Sequence, residues 1–73
     1  MREMMTPWFP FGQGFRASIR EPYLELEDRP SSRGWVWTVQ RIVPASGSFV
    51  VVQEGTAKSR EIAKQAATEA AGI

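Results

Sequence analysis

Nucleophilic and acid–base chemistry have few places to start in this chain. Histidine and cysteine are both absent. The hydroxyls of Thr6, Ser18, Ser31, Ser32, Thr38, Ser46, Ser48, Thr56, Ser59 and Thr68 therefore have no imidazole to activate them. The lysines, Lys58 and Lys64, fall near or on a predicted helix surface. Paired carboxylates are the remaining candidate, because Glu25 and Glu27 are spaced as glycosidic acid–base chemistry would allow. They sit on a short predicted strand, in a chain with no length left for a substrate cleft. Gly12-Gln13-Gly14 has the glycines of a phosphate loop, but no predicted strand precedes it and no Lys-Ser or Lys-Thr follows, so it reads as a flexible joint. Missing Cys and His also remove the usual zinc constellations. This inventory predicts a protein that is not an enzyme and uses no metal or cofactor.

Recognition chemistry is better supplied. Trp8, Phe9, Phe11 and Phe15 are interleaved with Pro7, Pro10, Gly12 and Gly14, and Met5 and the cations Arg2 and Arg16 lie among them. Aromatic residues beside arginine have the composition of interface hot spots. Trp8, Phe9 and Phe11 are the expected apolar anchors for a partner, with Met5 and Phe15 alongside and Arg2 and Arg16 as flanking charges. Glu25, Glu27 and Asp28 offer a second surface to a basic element, or else Glu25 and Glu27 are the solvated side of an edge strand. For the aromatics the alternative is structural: they lie as a strap across the domain's own apolar surface, whose burial contributes roughly 25 cal/mol per Å².

The elements that must position these groups are legible from periodicity. At 73 residues the chain holds one small core. Tyr23-Leu24-Glu25-Leu26-Glu27 alternates with period two, a half-buried strand. Arg29 to Gly34 is turn chemistry, Trp35 to Val43 is a longer strand rich in β-branched and aromatic residues, and Pro44 to Gly47 reads as a four-residue hairpin loop. Ser48 to Glu54 is the third strand. From Ser59 the period becomes helical, with Ile62, Ala66, Ala70 and Ile73 flanked by Ala63, Ala67 and Ala71. Ser59 is the N-cap and Gly72 the stop. The expected core is Leu24, Leu26, Trp35, Trp37, Val39, part of Phe49 to Val52, and Ile62 with its alanine stripe.

The expected fold is α+β: a three-stranded antiparallel sheet with one C-terminal helix on one face, in the order β-β-β-α, preceded by an irregular N-terminal arm. Residues 1–20 form the aromatic, basic arm, and residues 21–73 the single domain. No apolar run is long enough to cross a bilayer, so the expectation is a cytoplasmic protein without membrane contact. Net charge is +1, less than a sequence-independent nucleic-acid binder usually carries. Ser48 to Gln53 is uncharged and β-prone, which leaves self-pairing as a further possibility, although a monomer is expected.

Two resemblances bear on function. Over Tyr23 to Ala71, through Trp35-x-Trp37-x-Val39 and Gly55-x-Ala57-x-Ser59, the chain resembles the arm-binding domains of phage integrases and the plant GCC-box-binding domain, which lay a three-stranded sheet in a DNA groove. It departs from them by placing Glu25, Glu27 and Glu54 against Arg41 on the strands, so direct nucleic-acid binding is the less favoured reading. In size, in lacking Cys and His, and in carrying an aromatic arm before a tiny β/α body, the whole chain resembles the small transcription regulators encoded by lytic phages of Xanthomonas. That resemblance implies a protein that binds the β and β′ subunits of host bacterial RNA polymerase, displaces σ to inhibit initiation, and promotes antitermination.

Overall fold

A computed structural model of the chain describes residues 5–20 and 23–72. It contains five strands and one helix: β1 (Phe9–Phe11), β2 (Gly14–Ile19), β3 (Leu24–Ser31), β4 (Gly34–Val43), β5 (Ser48–Ala57) and α1 (Arg60–Ala70). The strands form one antiparallel sheet in sequential order β1-β2-β3-β4-β5. The helix lies C-terminal, as expected. The three-stranded sheet and the irregular arm are corrected: the segment read as an arm supplies two further strands.

The residues that looked like breakers are used at positions that tolerate them. Pro10 sits in the short edge strand β1, opposite Phe15, with no neighbour on its outer side. Gly12 and Gln13 make a two-residue hairpin between the partners Phe11 and Gly14, and Gly12 has the positive φ of 61° that such a turn needs at its first central position. Gly14 is required for a different reason. A Cβ there would stand 1.8 Å from the Asp28 carbonyl oxygen, so only glycine lets β2 lie this close to β3. Before β1, Met5 bridges to Ile19, and Thr6 and Ser18 exchange bonds: the Thr6 amide donates to the Ser18 carbonyl and the Ser18 amide to Thr6 Oγ1, each at 2.9 Å.

Register fixes the two faces of the sheet. Ala17, Ile19, Leu24, Leu26, Asp28, Trp37 and Val39 point toward α1, while Arg16, Ser18, Glu25, Glu27, Thr38 and Gln40 point away. The core is Ile19, Leu24, Leu26, Val39 and Ala67, with Met5, Trp8, Trp37, Ala70 and Ala71 packed against it. Trp37 lies flat over Gly55, where a Cβ would come within 2.6 Å of the indole.

The helix begins as its sequence signals. Ser59 is the N-cap and its Oγ accepts from the Ile62 amide at 3.3 Å, while Gly72 takes φ 85° just past the end. Its buried residues are Ala63 and Ala67, and Ile62 is 52% exposed. The inward stripe is thus turned by one residue, about 100°, from the one expected. Alanine lets the helix lie close to a sheet whose own Leu26, Val39 and Trp37 fill the space. A second correction concerns Phe49 to Val52, part of which was expected in the core: all four residues are exposed. Phe49 and Val51, paired with Ile42 and Gln40, lie on the face away from the helix. On the helix side an 11-residue helix of about 16 Å covers roughly half the length of the ten-residue strands β4 and β5, so the far end of that hairpin projects beyond its cover.

Candidate functional site

Alternation along β2 and β3 places Arg16, Ser18, Glu25 and Glu27 together on the face away from the helix, because Arg16 stands opposite Glu27 and Ser18 opposite Glu25. Arg16 donates to Glu27 Oε2 through Nε at 3.1 Å and through Nη2 as well, and its Nε lies 3.7 Å from Glu25 Oε1. Ser18 Oγ is 2.9 Å from both carboxylate oxygens of Glu25. The side chains of Arg16, Glu25 and Glu27 are only 15–18% exposed. Glu25 and Glu27 therefore lie neither on an edge strand nor on a freely solvated surface: β3 is the central strand, and their charge is met within the face.

Aromatic rings enclose this cluster. The Arg16 guanidinium carbon stands 3.9 Å from the Phe11 ring centroid and 5.7 Å from that of Phe49. Phe49 belongs to β5, three strands from β2, a separation of about 14 Å in a flat sheet. The short distance observed means that the sheet curls about Arg16, making this face concave. Phe9 and Phe11 remain 40% and 46% exposed, and Phe49 46%. The outcome is a rim of half-exposed phenylalanines around an arginine that its own carboxylates hold in place.

The remaining expected site residues divide between the two faces. Met5 and Trp8 are half-buried against the core, in the strap arrangement. Phe15 is also half-buried, with the Arg60 guanidinium carbon 3.6 Å above its ring. Arg2 lies outside the described residues. Phe9, Phe11, Arg16, Glu25 and Glu27 thus share the concave face, whereas Met5, Trp8 and Phe15 serve the fold. Phe49 was not expected at the site. Its signal was its pairing with Ile42 beyond an extra residue in β5, a bulge beside Val39 and Gln40 that reassigns which β5 residues face which way.

Asp28 is the second residue that sequence reasoning misplaced, since it was grouped with Glu25 and Glu27 as a surface acid. It points under the helix, is 1% exposed, and neither carboxylate oxygen has a hydrogen-bond partner among the described residues. Burial pushes its carboxyl above the ordinary range, against the opposing pull of Arg60 and Lys64. The Phe15 amide lies near enough to favour the charged form but falls outside hydrogen-bonding geometry. Buried on the helix side of the sheet, Asp28 belongs to the packing of α1.

At the opposite end from the β1–β2 turn, Tyr23, Arg41, Ile42 and Pro44 line an open, apolar groove of about 410 Å³. Among the described residues no three acidic, histidine or cysteine side chains group as metal ligands, and no helix is long and apolar enough to cross a membrane. The chain matches no protein-family model, and no curated protein or solved structure is significantly similar to it.

Proposed function

We propose that this chain is a phage-encoded transcription regulator that acts by binding, without catalysis, in the cytoplasm of a bacterial host. Its partner is host RNA polymerase, through the β and β′ subunits. Occupying that surface disfavours σ engagement, which inhibits initiation, and favours readthrough of terminators. The partner is taken from the whole-chain resemblance to small phage regulators. The observation that carries the binding reading is the concave face, where Phe9, Phe11 and Phe49 stand half-exposed around an arginine already fixed by Glu25 and Glu27. Such a surface is pre-organised. Its apolar rings need little ordering to bury against a partner, and the charge behind them is neutralised before contact.

The reading is tested with purified polymerase holoenzyme. Added protein is expected to form a complex, to lower promoter opening in a concentration-dependent way, and to release or weaken σ. Absence of a complex with either core polymerase or holoenzyme would refute the assignment of partner.

A further inference from the structure

A second surface, independent of the polymerase reading, emerges from the charge map. Glu25 and Glu27, two of the three acids that weighed against nucleic-acid contact in the sequence, are spent on Arg16 and Ser18, while the third, Glu54, stays exposed on β5. Arg29, Arg33 and Lys58 are exposed, and none forms an ion pair among the described residues. The fold gathers these three at one end. Arg33 lies in the β3–β4 turn, and a Cβ on the adjacent Gly34 would stand 2.5 Å from the Ala57 carbonyl and 3.6 Å from Lys58 Cα, so the turn and the β5–α1 connection are in contact. Arg29 pairs across β4 with Val36, which pairs in turn with Thr56 on β5.

Near this end Glu54, two residues from Thr56 on β5, is exposed with no ion pair among the described residues, one negative charge against the three cations. Glu61 lies against Arg60 at 4.0 Å, and Asp28 is sealed beneath the helix. Phe11 occupies the same end, since its partner Gly14 abuts Arg29, and it stays 46% exposed although Arg16 covers part of its ring. Cations set along a short track beside an exposed ring suit a phosphodiester backbone whose bases are free to stack. They suit a duplex less well, because paired and stacked bases leave none free to stack on the exposed ring.

We propose that Arg29, Arg33 and Lys58 form a phosphate-contacting surface for single-stranded nucleic acid. Fluorescence anisotropy of a labelled oligouridylate, titrated with the full chain across a range of NaCl concentrations and without polymerase, tests it. Three phosphate contacts predict a slope of log affinity against log salt near −2, from about −0.7 per contact. Arg33→Gln and Lys58→Gln should each reduce the slope by about 0.7, and the triple variant with Arg29→Gln should abolish binding at an unchanged melting temperature. Arg41→Gln, at the other end, should leave the slope as it is. The proposal is overturned by no saturable binding at low salt, by a triple variant that binds like the parent, by an equal effect of Arg41→Gln, or by tighter binding of the matching duplex. Because polymerase is absent, failure here leaves the polymerase reading standing, and the reverse also holds.

Discussion

The two faces of the sheet handle charge in opposite ways. Beneath the helix, between its cross-strand partners Phe15 and Trp37, Asp28 is a carboxyl group without a hydrogen-bond partner among the described residues, and burial raises its pKa. On the concave face, Glu25 and Glu27 are also largely covered, yet Arg16 and Ser18 satisfy them, and Phe11 and Phe49 shield the cluster. A covered charge is therefore costly on one face and structural on the other, the difference being its partners and not its depth. The face that hides its charge unpaired is the face closed by α1. The face that pairs its charge remains available to other molecules.

The largest effect should come from breaking the closed face. Leu26 is fully buried, and Leu26→Ala should destabilise the fold by about 2–5 kcal/mol in chemical denaturation. A loss no greater than that of an exposed position such as Val51→Ala would mean that the helix does not seal this face.

Asp28→Asn should act in the other direction, raising stability at pH 7, because it replaces a buried carboxylate with a neutral amide of the same shape. The sign follows from linkage. With a folded pKa above the unfolded value, the native state binds the proton more readily, so Asp28 favours folding at acid pH and this contribution is lost as pH rises through its raised folded pKa. Asp28→Asn should remove that part of the pH dependence. An unchanged pH profile would mean that the carboxylate has a partner after all.

Glu27→Gln should cost about 1 kcal/mol by weakening the charge-assisted bonds to Arg16, an effect opposite in sign to that at Asp28. A gain in stability would make the two faces alike and remove the contrast.

How much of this was legible depended on whether local periodicity agreed with local composition. Leu24 and Leu26, the four-residue loop at Pro44 to Gly47 and the Ser59 cap carried unambiguous signals, and each holds in the fold. Phe15-Arg16-Ala17-Ser18-Ile19 alternates just as clearly, but its proximity to Pro10, Gly12 and Gly14 made the segment read as irregular. Pro10 is tolerated because β1 is an edge strand, and Gly14 is required because β3 lies against it, both facts of sheet order that no local window contains. The same order moved Glu25 and Glu27 from an expected edge to the centre. Asp28 followed from alternation: one residue beyond Glu27, it had to face the helix. On the concave face, Phe9, Phe11 and Arg16 were anticipated from composition, whereas Phe49 joined them through the bulge and the curl of the sheet.

The most direct test of the concave face as a docking surface is the affinity of purified bacterial RNA polymerase for the Phe9→Ala/Phe11→Ala double variant, measured beside its melting temperature. Both rings are about half-exposed on an edge strand, so the fold should be nearly unaffected, while binding should weaken by about 2 kcal/mol or more, roughly thirtyfold. Parental affinity in the folded double variant would contradict the account and exclude these rings as the anchors.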